Sequence, residues 1–218
     1  MKKKVLISRE IYNIIEENIS SDDAREVCIM RDVYKYCPQF ENEKFLLRLI
    51  SAEDTNDLLK VYSDADAVPF FNSDNCNGDD FYYKTLERMK QAVDFWIFSY
   101  YERYFVRWTI IDKETMEAVG TIELFHREAD EHFYECGLLR LDLRSDYENA
   151  GQIVKIISLI KDATYDLFYC NIIATKAVPE ATERLQALEE LGFVAAEKII
   201  ISKDGTKYGD YYILENQL

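Results

Sequence analysis

Apolar positions along this chain recur with two periods, and the alternation between them sets out the elements. Between residues 9 and 37 the spacing is helical, with Ile11, Ile14 and Ile15, then Val27, Met30, Val33 and Tyr34, a break near Ser20-Ser21-Asp22 and a stop at Pro38. "KFLLRLI", Lys44 to Ile50, reads as a strand. Ser51 with Asp54 forms a capping-box-like start for a helix over Ala52 to Tyr62. The stretch "SDADAVPFFNSDNCNGDD" is polar, acidic and turn-rich, so it reads as a loop before a long helix expected to begin near Asp79, with Leu86, Met89, Val93 and Trp96 on one face. Tyr100, Tyr101 and Tyr104 close that helix or open the next strand, and an aromatic stripe of this kind is expected in the core.

"FVRWTIID" and "AVGTIELF" flank the polar "KETME", which predicts a hairpin. A second turn, "HREADE", leads to a third strand from Phe133 to Leu143, completing an antiparallel meander. Ile153, Ile156, Ile157, Ile160 and Leu167 then mark a helix, and "CNIIATKA" reads as a buried strand, so strand, helix and strand imply a parallel crossover. "PEATERLQALEELGF" predicts another helix, with Pro179 near its start and Gly192 as its C-terminal cap. A final hairpin, "FVAAEKIIISKDGTKYGDYYIL", is expected to turn at Asp204-Gly205. The expected fold is therefore α/β, a mixed sheet of about six or seven strands with helices on both faces. Residues 1–43 are read as a helical extension and 44–218 as the main domain.

Composition narrows the function classes. With 218 residues and 48% hydrophobic side chains the chain can bury a sizeable core. No apolar run reaches membrane-spanning length, and "MKKKVLIS" holds too few apolar residues for a signal peptide, so a cytoplasmic location is expected. A formal charge of -15 disfavours nucleic-acid binding, which begins with Lys and Arg on phosphates. Five scattered cysteines without a C-x-x-C pair argue against disulfides and a zinc site, and with only two histidines no metal is expected.

The order of elements, carried by "FLLRLISAEDTNDLLKVYSD", "WTIIDKETMEAVGTIELF" and "ALEELGFV", resembles the GNAT superfamily of acetyl-CoA-dependent N-acetyltransferases, in particular the ribosomal-protein N-terminal branch. The resemblance covers roughly Lys44 to Leu218. It implies acetyl-CoA as co-substrate and direct attack by a primary amine of a small molecule, peptide or protein N-terminus, in a monomer or homodimer. It also implies that Leu141, Asp142, Leu143 and Arg144 line the pantetheine arm and that Tyr147 to Gln152 form the pyrophosphate loop, with Asn149, Ala150, Gly151 and Gln152 at the phosphates. Thr182 matches a frequent cofactor-contacting Ser.

The loop departs from the family pattern. With Tyr147 on the family's usual aromatic, Glu148 and Ala150 match the two glycine positions and Gln152 the small one, while a slipped register gives Gly151 a glycine role; Pro179 matches the usual Asn and Leu188 the usual general-acid Tyr. These changes leave a second reading open, a GNAT-fold interaction or regulatory module that has lost CoA binding. For the transferase reading the catalytic candidates are Glu135, in "YECGLLRL", and Glu123, in "GTIELF", either of which can instead be a solvated strand position or pair with Arg140 or Arg127. Cys136 is read as a buried small hydrophobe, and His126 and His132 as surface residues flanking a turn.

Overall fold

A computed structural model describes residues 32–127, 133–202 and 204–216. The expected helix over 9–37 therefore lies mostly outside the described residues, as do most of the "HREADE" turn and His132. Residues 33–36 form a turn rather than a helix, and Phe40–Glu41 (β1) adds an edge strand to the sheet.

The meander is built from Phe45–Leu49 (β2), Val106–Asp112 (β3), Ala118–Arg127 (β4) and Cys136–Leu143 (β5), each antiparallel to the next. Ala150–Leu167 (α3) crosses over to Ile172–Lys176 (β6), which runs parallel to β5. Tyr211–Glu215 (β10) and Val194–Ala195 (β7) complete an eight-stranded sheet in the order β1-β2-β3-β4-β5-β6-β10-β7. The mixed sheet agrees with the expectation from the sequence, and its extra strands are two-residue edges.

Alternation along the strands divides the core. Trp108, Ile110, Ile122, Leu124, Leu139 and Leu141 share one cluster with Ile153, Ile156, Ile157 and Ile160 of α3. Thr55–Tyr62 (α1) and Leu86–Tyr101 (α2) cluster with Ile111 and Ala118, whose side chains leave the strands on the other side.

Three boundaries differ from the reading above. The long helix begins at Leu86, not near Asp79. Thr85 caps it by accepting from the Arg88 N–H, while Phe81 takes φ 61° and the Tyr83 N–H bonds to the Tyr62 carbonyl, so 79–84 is pinned in a non-helical path. The third strand begins at Cys136 because Glu135 turns through φ 51°. The last hairpin is split: Gly205 makes its turn at φ 86°, with Ile200–Ile201 (β8) paired to Lys207–Tyr208 (β9) as a separate ribbon, while β7 and β10 join the main sheet. The helix over "TERLQALEE" spans Thr182–Glu190 (α4), leaving Pro179 in the preceding turn, and Gly192 follows it at φ 86°.

Candidate functional site

On the α1/α2 side of the sheet the inward positions of β3, β4 and β5 carry polar groups. Arg107, Glu123 and Arg140 stand opposite one another across the three strands, and Thr109, Thr121 and Asp142 form the next row. Arg107 and Glu123 are 1% exposed. The Arg107 Nε and Nη2 groups donate to Glu123 Oε2, and Arg140 Nη1 donates to Oε1 at 2.8 Å. Arg107 Nη1 reaches diagonally to Asp142 Oδ2 at 3.0 Å, to Thr121 and to the Tyr62 hydroxyl, which itself donates to Asp142 at 2.7 Å.

Burial alone would push the Glu123 carboxyl up, but the flanking Arg107 and Arg140 charges win and hold it below the usual range. With both oxygens engaged it is a poor proton acceptor. Full burial pushes Asp142 up, against the pull of Arg107. Its Oδ1 accepts no hydrogen bond among the described residues. Pairing of Glu123 with Arg140 was one of the two alternatives open for that residue. Glu135, the other catalytic candidate, is half-buried in the turn before β5, where its carbonyl accepts from the Asn171 N–H.

Above this row a cleft of about 410 Å³ opens between α2, the segment 75–83 and the strands. Trp96, Phe95, Phe105 and Phe125 wall it, and Arg107, Glu123 and Arg140 form its charged floor. Tyr104, expected in the core, lies exposed at the cleft, and Tyr101 is exposed as well.

On the α3 side of the site, β5 and β6 pair from Cys136 and Ile172 only as far as Leu139 and Thr175, so Arg140 to Leu143 run on without β6. Arg184 of α4 reaches into this gap. Its Nη1 donates to the Leu141 carbonyl at 2.9 Å and to the Phe70 carbonyl at 2.8 Å, and its Nε and Nη2 grip both oxygens of Glu148 at 2.7 Å. Arg184 and Glu148 side chains are 3% and 6% exposed. At the start of α3 the Ala150 N–H donates to Glu183 and the Gln152 N–H to the Asn149 side chain.

These contacts allow a direct test of fit for a pantetheine pyrophosphate. The β5 carbonyl facing the gap and two first-turn amides of α3 already hold protein partners, and a carboxylate sits at the loop. As arranged, the residues do not fit that group. Leu143 is buried, Asp142 belongs to the ionic rows, and Arg144 pairs with Asp146 and Glu117. Gly151 and Thr182 are exposed, each in the first turn of its helix. The structure thus sets Leu141 against Arg184 and Ala150 against Glu183, leaves Asn149 as the cap of α3 with the Gln152 N–H, and puts Glu123 and Glu135 in different settings.

Reading the sequence missed Arg184, Arg107 and Arg140 as site residues. Arg184 shares a helix face with Ala187 and Leu188, and Arg107 and Arg140 each stand inside a largely apolar strand run, which is the signal that could have found them. Cys136 is fully buried, as expected, and His126, expected at the surface, is half-buried with Nδ1 2.7 Å from the Phe168 carbonyl. Among the described residues no cluster of three or more His, Cys, Asp or Glu could hold a metal, and no helix is long and apolar enough to cross a membrane.

Residues 44–194 match the model of the acetyltransferase (GNAT) domain. No curated protein matches the chain. Among solved structures, a ribosomal-protein-S5-alanine acetyltransferase from Vibrio fischeri superposes with a TM-score of 0.61 at 18% identity, covering 83% of this chain and 97% of its own. A ribosomal L7/L12 alpha-N-protein acetyltransferase in complex with coenzyme A gives 0.60 at 12% identity, covering 82% and 98%. A GNAT-family acetyltransferase from Bacillus anthracis gives 0.58 at 17% identity, covering 81% and 96%. At these identities the likeness concerns the fold.

Proposed function

The chain belongs to the GNAT acetyltransferase family, and from that premise we propose that it is a binding module on the acetyltransferase fold whose cofactor groove is closed by its own side chains. The observation that carries this reading is the Arg184 guanidinium, which occupies the gap between β5 and β6 and ties Leu141, Phe70 and Glu148 together. An exposed arginine could swing away at little cost. Arg184 is buried and pairs bidentately with a buried carboxylate, so withdrawing it would strand Glu148, at a cost of roughly 3–5 kcal/mol. A cofactor would have to supply that from its own binding energy before gaining affinity.

The proton chemistry points the same way. Direct transfer from a thioester to an amine needs an acceptor for the ammonium proton. Glu123 is bonded on both oxygens by two arginines that hold its carboxyl below the usual range, and Glu135 sits in the turn before β5. In place of a transferase site the cleft over Arg107, Glu123 and Arg140 remains for a ligand.

Family membership and the parting of β5 and β6 after Leu139 and Thr175 favour the second reading, an acetyl-CoA-dependent N-acetyltransferase on a primary amine. Thiol release separates the two. With acetyl-CoA and a mixture of polyamines, amino acids and short peptides, the folded chain should liberate CoA thiol no faster than a heat-denatured control. Amine-dependent release above that control would overturn the module reading.

A further inference from the structure

We propose that the cleft between α2 and the strands binds a small aromatic carboxylate, with its anionic end on Arg140 and its ring against Trp96 and Phe95. The inference rests on the reading of the chain as a binding module and names the ligand class. Four observations carry it. Arg140 is nine-tenths or more buried, and its Nε has no hydrogen-bond partner among the described residues, although Nη1 and Nη2 are held by Glu123 and the Asp74 carbonyl. A buried donor left without an acceptor carries a desolvation cost, and the guanidinium, which lines the cleft, holds only one acceptor on each of Nη1 and Nη2.

The lining also has the right sign. In a chain of formal charge -15 the cleft is lined by Arg88, Arg107 and Arg140 against two carboxylates, Asp79 and Glu123. Glu123 takes arginine N–H groups on both oxygens, so its repulsion of an anion is offset locally.

The walls select the remainder of the ligand. Seven of the lining side chains are aromatic, which suits a flat apolar body in offset or edge contact. The volume of about 410 Å³ lies near the lower end of the range for small-molecule pockets and favours one ring over a larger molecule.

The site is also preformed. The segment 75–83 is anchored at its start through Asp74, whose carboxylate takes Lys176 Nζ at 2.7 and 2.8 Å and the Tyr211 hydroxyl at 3.1 Å. Arg107 lies 4.1 Å from the Trp96 ring centroid, which fixes the indole against the floor. Little ordering is left for a ligand to impose.

The test uses ligand-observed fluorine NMR on the full chain with 4-fluorophenylacetate, and with 4-fluorobenzyl alcohol as the uncharged counterpart. The acid should show saturable broadening with an affinity about tenfold or more above the alcohol, since a charge-assisted hydrogen bond is lost in the latter. Arg140→Gln should weaken the acid about tenfold. Because Arg140 also pairs with Glu123, Phe95→Asp is the second variant: Phe95 is 55% exposed, so the fold tolerates the change while the wall gains a repelling charge. It too should weaken the acid at least about tenfold. No saturable broadening at millimolar probe, equal binding of the alcohol, or unchanged affinity in both variants would overturn the proposal. Displacement of the bound acid by acetyl-CoA would support a ligand site here and overturn the module reading instead, so the two failures are distinguishable.

Discussion

Arg184 and Glu148 meet through two N–H···O bonds of 2.7 Å with both side chains almost out of solvent, one from α4 and the other from the loop before α3. A pair of this kind is costly to break from one side and cheap to replace from both. Arg184→Met should therefore destabilise the fold by roughly 3–5 kcal/mol. Arg184→Met with Glu148→Met should recover part of that loss, leaving about 1–3 kcal/mol for the unpaired Leu141 and Phe70 carbonyls. Urea unfolding of the two variants checks the order. A double variant less stable than the single one would contradict the pairing.

The Arg107–Glu123–Arg140 row predicts a pH dependence. The Glu123 carboxyl is held below its unfolded value, so its contribution to stability is present above about pH 4.5 and is lost as pH falls through the lower folded value. Asp142 is shifted the other way, and its protonation in the folded state offsets part of the loss. Glu123→Gln removes the Glu123 part, and because the Glu123 charge is one of the causes that raise Asp142, it also reduces the Asp142 offset. Between pH 5 and pH 3, roughly the titration range of carboxylates, the wild type should lose stability more steeply than the variant. Parallel curves would show that Glu123 does not titrate as described.

Tyr62 holds the second polar row together, donating to Asp142 and lying 2.8 Å from both the Thr121 hydroxyl and Arg107 Nη1. Removing the hydroxyl in Tyr62→Phe leaves Asp142 with Arg107 alone on Oδ2, at an expected cost of about 1–3 kcal/mol. Thermal unfolding at neutral pH measures it, and a shift within error would mean that water satisfies Asp142.

Two glycines should respond in opposite directions. A Cβ on Gly120 would lie 2.3 Å from the Asp142 carbonyl and 2.7 Å from Leu143, so Gly120→Ala should cost about 1–3 kcal/mol or more as β4 and β5 are forced apart. A Cβ on Gly151 meets nothing nearer than Asn149 Oδ1 at 4.0 Å, and Gly151→Ala in the first turn of α3 should stabilise by about 0.5–1 kcal/mol. Denaturant midpoints of the two variants test this directly.

The fold was legible because the β3, β4 and β5 segments and α3 carry dense apolar runs whose period survives in the structure, down to Ile153, Ile156, Ile157 and Ile160 on one face. The start of α2 was misplaced by several residues because Phe81 adopts a left-handed backbone that composition does not reveal, while the true cap, Thr85, is an ordinary threonine. The loop before α3 was recognisable by its place in the chain. Its content was not, since Glu148 finds a partner 36 residues later on a helix whose position depends on the whole sheet. Glu123 was singled out for catalysis on its strand position alone. The two arginines that saturate it lie on neighbouring strands, and strand register is what brings them level.

Calorimetric titration of the full chain with acetyl-CoA reads whether Arg184 closes the groove between β5 and β6. Arg184 and the carboxylates at the loop should leave no saturable heat up to about millimolar ligand, a concentration at which even a binding free energy near -4 kcal/mol would register. Saturable binding of acetyl-CoA at micromolar concentrations, with one site per chain, would contradict the account and return the groove to the cofactor.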